Sequence, residues 1–452
     1  MVNLNLYIDP GTGSMLFTVL IGVLSAAVYG ARTLFIRLRT GAGRKADKNK
    51  IPLVIYSDNK RYWNTFEPVC DELEKRGQDA VFMTASPDDP ALKKEYKHIK
   101  TEFIGEGNKS FTRLNMLNAR LVFCTTPGLD VLQWKRSRSV DYYTHIMHAP
   151  RDAASYRMFE LDYFDSILFS GQVQIDQIRE LEELRGLPAK ELTLVGIPYM
   201  DEMMKRAQAL PPAPKSDKTT VLLAPSWGKS SLLVKYGSNF IQNLLKTGYH
   251  VIIRPHPQSF TADKEVIEKL MAEYPNSDDL EWNRDNDNFD VLNRSDIMIS
   301  DFSGVMLDFA FIFNKPVIYA DINFDKGQYD YYFLKEEPWS LTMLPKIGMA
   351  LTMENVENVK DLIEECLTNP KFKETREQAR DEIWQHRGEG AVRVADYLCN
   401  KLKELEEKEA EEIKAAESKS KGKKKAKTEA KTEAKAEEKA EEKAEEKVEE
   451  KA

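Results

Sequence analysis

Short apolar runs separated by polar, small-residue turns organise most of this chain, and their lengths alternate between those of strands and helices. Leu53–Tyr56 reads as a strand and Trp63 to Arg76 as a helix closed by Gly77. Ala80–Met83 and Leu121–Cys124 are further strands, the second running out into Thr125-Thr126-Pro127-Gly128. Tyr142 to Met147 is a strand that delivers His148-Ala149-Pro150, and Ser166–Gly171 and Leu192–Pro198 complete the series. Runs of this kind, apolar without strict alternation, suit strands covered on both faces. Strands alternating with helical segments imply a mostly parallel sheet with helices on either side.

A proline-rich polar break, Leu210 to Lys218, ends this first unit, and the pattern then restarts. Thr220–Pro225 is a strand entering the loop Ser226-Trp227-Gly228-Lys229-Ser230-Ser231; a helix over Leu232 to Thr247 follows, then the strand His250–Ile253 and Arg254-Pro255-His256-Pro257. Ile297–Ile299 runs into Ser300-Asp301-Phe302-Ser303-Gly304, after which Val305 to Phe313 is apolar enough for a helix packed on a sheet. Pro316–Ala320 is the last clear strand, and Gly388 to Leu398 a closing helix. Two consecutive α/β units joined by a short linker describe a GT-B arrangement, two Rossmann-like domains facing a cleft. The boundaries fall at 51–210 for the first domain and 219–400 for the second.

The flanks differ in kind. Met15 to Ala31 carries no charge, no Lys or Arg precedes it, and Arg32, Arg37, Arg39, Arg44, Lys45, Lys48 and Lys50 follow. Residues 1–50 therefore read as one N-terminal membrane helix with a basic flank. The positive-inside rule then predicts a single-pass protein of the cell membrane, N-terminus outside and both domains cytoplasmic. Beyond Lys401 the chain is almost only Ala, Glu, Lys and Thr, so 401–452 reads as a disordered or single-helix tail unable to bury a core.

Composition narrows the picture. At 452 residues, 42% hydrophobic and 10% aromatic, the chain has material for two or three domains. A formal net charge of −8 argues against nucleic acid as a partner. Cys70, Cys124, Cys366 and Cys399 are scattered, form no C-x-x-C pair, and suggest neither zinc nor a disulfide framework. There is no G-x-x-x-x-G-K-[ST] loop, no complete dinucleotide fingerprint and no G-x-S-x-G, which disfavours P-loop hydrolysis and α/β-hydrolase chemistry.

Candidate chemistry sits at strand ends. Ser300, Asp301 and Ser303 each suit an N-cap, and Gly304 lets a ligand approach the backbone. The plain reading is helix capping alone; the functional one is a diphosphate held at the helix N-terminus. Asp301 fits phosphate least, since a carboxylate repels it, and suits a cap or a polyol hydroxyl better. Arg254 and His256, between fixed prolines, can address phosphate oxygens. His148, at a strand end in the other domain, has the right ordinary pKa for a base acting on a hydroxyl. Ser226, Trp227 and Asp308 are further cleft candidates, whereas His145 reads as structural.

Taken together, Ala224-Pro225-Ser226-Trp227, Arg254-Pro255-His256-Pro257 and Ser300-Asp301-Phe302-Ser303-Gly304-Val305-Met306-Leu307-Asp308-Phe309-Ala310 resemble, in order and spacing, the CDP-glycerol glycerophosphotransferase family of teichoic-acid polymerases and primases. The resemblance spans roughly His145 to Tyr397. It implies a GT-B fold, no metal or other cofactor, and transfer of glycerol phosphate from a CDP-glycerol or similar CDP-polyol donor to a hydroxyl of a lipid-linked or polymeric acceptor at the membrane, with release of CMP. It implies that His148 is the base and that His256 and the Ser300-Asp301-x-Ser303 turn hold the donor phosphates. One departure stands out. The family's His-Gly-Thr-Pro is here His148-Ala149-Pro150, followed by Arg151-Asp152 in place of Leu-Lys. A sugar transferase on the same fold and a non-catalytic anchored scaffold are the alternatives the sequence leaves open.

Overall fold

The computed structural model describes residues 50–211, 217–285, 287–301, 303–320 and 326–415. Lys50 to Leu402 form one compact unit; of the second unit only 403–415 is described, as helix.

Seven strands make the first sheet: β1 (Ile51–Ser57), β2 (Ala80–Thr84), β3 (Ile99–Phe103), β4 (Asn118–Cys124), β5 (Ser139–Ile146), β6 (Ser166–Phe169) and β7 (Glu191–Leu194). They lie in the order β3-β2-β1-β4-β5-β6-β7, every neighbouring pair parallel. The second sheet holds β8 (Thr220–Leu223), β9 (His250–Ile253), β10 (Leu280–Trp282), β11 (Ile297–Ser300), β12 (Val317–Ala320) and β13 (Gly348–Leu351), ordered β10-β9-β8-β11-β12-β13 and again parallel. Strand β8 shows why its run is apolar throughout. Val221 and Leu223 pack into the core beneath helices Leu232–Leu245 and Val359–Thr368, while Leu222 joins the opposite core beneath Val305–Ile312 and Trp339–Ile347. Each sheet reverses its strand order once, between β1 and β4 and between β8 and β11. In open α/β sheets the crevice outside the carboxyl ends at such a reversal is where ligands bind.

Two sets of contacts tie the second sheet's domain to the first. The C-terminal segment returns across the boundary: Gln385 N–H donates to the Ser170 carbonyl at 2.8 Å, and the Gly388 and Gly390 amides donate to the Asp201 carboxylate, each at 2.8 Å. Gly171 is required here, since a Cβ would lie 2.8 Å from both the Glu382 carbonyl oxygen and the Ile383 Cα. The segment after β12 docks as well. Buried Asp152 accepts from the Trp339 and Ser340 amides at 2.8 and 2.9 Å, capping helix Trp339–Ile347 from the opposite domain. Arg185 packs against the rings of both Phe159 and Phe333, pairs with Asp162 at 2.5 Å, and bonds Asp330. Asp152 follows the His148-Ala149-Pro150 loop, and this interdomain cap is its place in the fold.

Three strands escape the sequence reading. Edge strand β3 is Ile-Lys-Thr-Glu-Phe, β10 has three residues, and β13 opens on Gly348. Lys401 and Leu402, assigned above to the tail, are buried, and Lys401 Nζ pairs with Glu191 at 2.6 Å. The single-pass membrane localisation is corrected: no helix among the described residues is long and apolar enough to cross a membrane. The Met15–Ala31 run on which it rested, like the tail beyond 415 and most of the Leu210–Lys218 break, lies outside the described residues.

Candidate active site

At the reversal of the second sheet, β8 runs out into Ala224-Pro225-Ser226 and β11 into Ser300-Asp301. Ser300 is fully buried and its hydroxyl donates to the Ala224 carbonyl at 2.6 Å, so it latches one strand end to its neighbour. Asp301, 2% exposed, accepts from the Ser226 amide at 2.7 Å and the Leu232 amide at 2.9 Å. It therefore holds the Ser226–Ser231 loop and satisfies a first-turn amide of helix Leu232–Leu245, which covers the opposite face of the sheet from Val305–Ile312. Burial raises its pKa, against the lowering effect of those two amides. Both side chains are engaged within the turn and its neighbouring loop.

Ser303 is different. It is half-buried and lines a cavity of about 630 Å³ with Arg61, Arg254, His256, Tyr199 and Arg206. Gly304 precedes helix Val305–Ile312, which has no side-chain cap; the Met306 and Leu307 amides of its first turn donate to the Ser303 and Gly304 carbonyls, each at 3.1 Å. A Cβ at Gly304 would meet open space. Side-chain capping by Ser300, Asp301 or Ser303 is thus absent at this helix, and turn carbonyls take up two of its first amides.

Arg254 follows β9. Its Nη2 donates to the Asp285 carbonyl at 2.7 Å and its Nη1 to the Asn283 side chain, so part of its donor fork is already engaged. Burial lowers its pKa, with Asp285 and Asp287 opposing. His256 accepts at Nδ1 from the Gln258 amide, 3.1 Å away. Its pKa falls through burial first and the Arg61 charge second, with Asp301 opposing. Trp227, 50% exposed, lies beside it with ring centroids 6.4 Å apart. Asp308 has no hydrogen-bond or cationic side-chain partner among the described residues. Its surroundings push its pKa up to about 7 through desolvation, although the residue keeps some exposure on the helix surface.

In the first domain, β5 delivers His148 beside the end of β4. Thr125 Oγ1 lies 2.7 Å from His148 Nδ1 and donates to the Ile146 carbonyl at 2.9 Å. Burial, with the charges of Arg151 and Arg61, lowers the His148 pKa to about 3, so the ring is neutral near pH 7. His148 does not itself line the 630 Å³ cavity. Its link to the cavity runs through two neighbours: Tyr62 meets it edge-on, centroids 4.8 Å apart, and Arg61 Nη2 donates to the Tyr62 hydroxyl at 2.8 Å. Arg61 lines the cavity, and its charge acts on both histidines. His145, read as structural, is fully buried and packs against Tyr156 and Phe164.

Arg61 and Thr125 are the residues sequence reasoning missed. Arg61 follows Ser57-Asp58-Asn59 at the carboxyl end of β1, and Thr125 follows β4, the two strands that flank the first sheet's reversal. The rule that ligands gather at that edge was the available signal.

Two doubly wound parallel sheets, each presenting a histidine loop at its carboxyl edge, place the molecule in the GT-B class of transferase folds. Within that class, the model of the CDP-Glycerol:Poly(glycerophosphate) glycerophosphotransferase family matches residues 161–399, and the chain belongs to this family. A teichoic acid glycerol-phosphate primase of Bacillus spizizenii is 26% identical over 186 residues, 37% of this chain and 44% of that protein, so the match spans under half of the relative's length. Among solved structures, the wall teichoic acid polymerase TagF superposes with a TM-score of 0.52 at 14% identity, covering 85% of this chain and 98% of that one. The S. aureus MnaA–UDP complex gives 0.51 at 13% identity, covering 78% and 96%. At these identities the two structures bear on the fold alone.

Proposed function

We propose that the protein transfers glycerol phosphate, or a related polyol phosphate, from a CDP-activated donor to a hydroxyl of a polymeric or lipid-linked acceptor. The acceptor oxygen attacks the donor's β-phosphorus and the bond from that phosphorus to the bridging oxygen breaks. CMP departs with that oxygen, and the acceptor's proton passes to His148. Arg61, Arg254, His256, Ser303 and the turn at Gly304 meet the charge of the diphosphate. Ser300 and Asp301 position that turn. A dianionic donor beside His148 raises the ring's proton affinity from its low resting value, which brings it toward the range useful to a base.

The observation that carries this reading is the 630 Å³ cavity at the second sheet's reversal, where Arg61 of the first domain lies with Arg254, His256 and Ser303 of the second. Family membership supports the donor class. The test is to incubate the full chain with CDP-, UDP- and CMP-activated donors and an acceptor, and to measure the nucleotide released. Release of CMP from CDP-glycerol is expected; turnover of a nucleotide sugar with CDP-glycerol inert would overturn the reading.

A further inference from the structure

The reaction above needs a free lone pair on one histidine and a hydrogen-bond donor on the other, and the geometry decides which ring nitrogen supplies each. We infer that Thr125 is a positioning residue that holds His148 as its Nδ1–H tautomer, with the lone pair on Nε2, while the Gln258 main chain holds His256 in the opposite, Nε2–H tautomer. The inference rests on the reading of His148 as the base.

Proton counting carries it. The Thr125 hydroxyl has one hydrogen and two oxygen or nitrogen neighbours, the Ile146 carbonyl at 2.9 Å and His148 Nδ1 at 2.7 Å. A carbonyl oxygen can only accept, so the hydroxyl hydrogen belongs there. Were Nδ1 also unprotonated, two lone pairs would face each other at 2.7 Å; Nδ1 must carry the hydrogen and donate it to Thr125. The parallel pairing of β4 with β5, in register at Cys124 and His145, is what brings residue 125 alongside Ile146 and His148. At His256 the logic runs the other way. A main-chain amide can only donate, and the Gln258 N–H points at Nδ1 from 3.1 Å, so the single ring hydrogen of neutral His256 sits on Nε2. Both rings are kept neutral by burial and by Arg61. One domain thus offers a proton acceptor and the other a donor, matching an attacking hydroxyl and a departing phosphate oxygen. The opposite assignment would leave a lone pair at Nε2 of His256, facing the donor's own oxygens.

The test is two-bond proton–nitrogen correlation of the full chain carrying 15N-histidine near neutral pH, with His148→Gln and His256→Gln used to identify the two rings. Expected is a protonated Nδ1 for His148 and a protonated Nε2 for His256. Thr125→Val should lose the Nδ1–H signature of His148 and lower kcat on CDP-glycerol at least ~10-fold, with the donor KM held within about twofold; Thr125→Ser should restore both. Nε2–H for His148 in the unmodified protein overturns the inference whatever the activity. Tautomers as expected together with unimpaired turnover in His148→Gln would leave the tautomer assignment standing and remove His148 as the base.

Discussion

Asp301 offers the sharpest separation between a residue that builds the site and one that touches its ligand. Its carboxylate accepts from two amides, Ser226 at 2.7 Å and Leu232 at 2.9 Å, and is almost wholly buried. Hydrogen bonds to a charged acceptor contribute about 1.5–3 kcal/mol each, and Asp301→Ala both deletes two and strands two buried amides, so the loss should be about 3–5 kcal/mol. For the body from Lys50 to Leu402, roughly 350 residues with an unfolding entropy of about 2.1 cal/mol/K each, that is a fall of about 4–7 °C in Tm. Thermal denaturation followed by circular dichroism, run beside donor titration, is the assay. Ser303→Ala is the counterpart: half-buried in the cavity wall, it should leave stability within about 0.5 kcal/mol and raise the donor KM about tenfold, the equivalent of one charge-assisted bond. An Asp301→Ala protein with unchanged Tm and greatly weakened donor binding would refute the loop-holding account.

Other expectations follow from the same geometry. His148→Gln should lower kcat at least ~100-fold with the circular dichroism spectrum unchanged. Arg61→Ala should raise the pKa of both histidines, readable as a shift in their ring-proton titrations, because removing a nearby cation eases protonation. Arg185→Met leaves Asp162 and Asp330 buried without their cation and should cost about 3–5 kcal/mol in urea unfolding. For the pH dependence of stability, His145 and His148 both have folded pKa values lowered to about 3 from an ordinary 6.5. Between those limits the unfolded chain binds more protons, so their contribution is present above pH 6.5 and is lost as pH falls toward 3. Asp308 acts in the other direction. Its folded pKa of about 7 lies above the unfolded 3.8, so it disfavours the folded state increasingly as pH rises through that interval. Asp308→Asn should therefore stabilise the protein at pH 8, by about 1–2 kcal/mol once residual exposure is allowed for.

The two-sheet plan was legible because strands covered on both faces are written as continuous apolar runs, and the loops at their ends carry the small, polar and proline residues that mark turns. Strand β3 failed that test because an edge strand can keep lysine, threonine and glutamate. His148, His256 and Arg254 could be singled out as candidates from their places at strand ends, and Ser303 from the turn after β11. The sequence could not separate Ser303, which lines the cavity, from Ser300 and Asp301, which face inward. All three suit a cap, and only the approach of β8 to β11 determines which of them is used internally. Asp301 does cap a helix, but the partner helix starts at Leu232, far away in the chain. Thr125 carried no local signal of its role: its contact with His148 exists because β4 and β5 are neighbours in register, a fact of pairing and not of spacing. The apolar stretch near the N-terminus lies outside the described residues, among which no helix is long and apolar enough to cross a membrane.

The central claim is the donor and the two-histidine transfer, and the most direct measurement is CMP release from CDP-glycerol by the unmodified chain beside His148→Gln and His256→Gln. The account predicts acceptor-dependent CMP release that falls at least ~100-fold in His148→Gln and well over ~10-fold in His256→Gln, with neither variant unfolded. Equal CMP release by all three proteins, or none from CDP-glycerol while a nucleotide sugar is consumed, would contradict it.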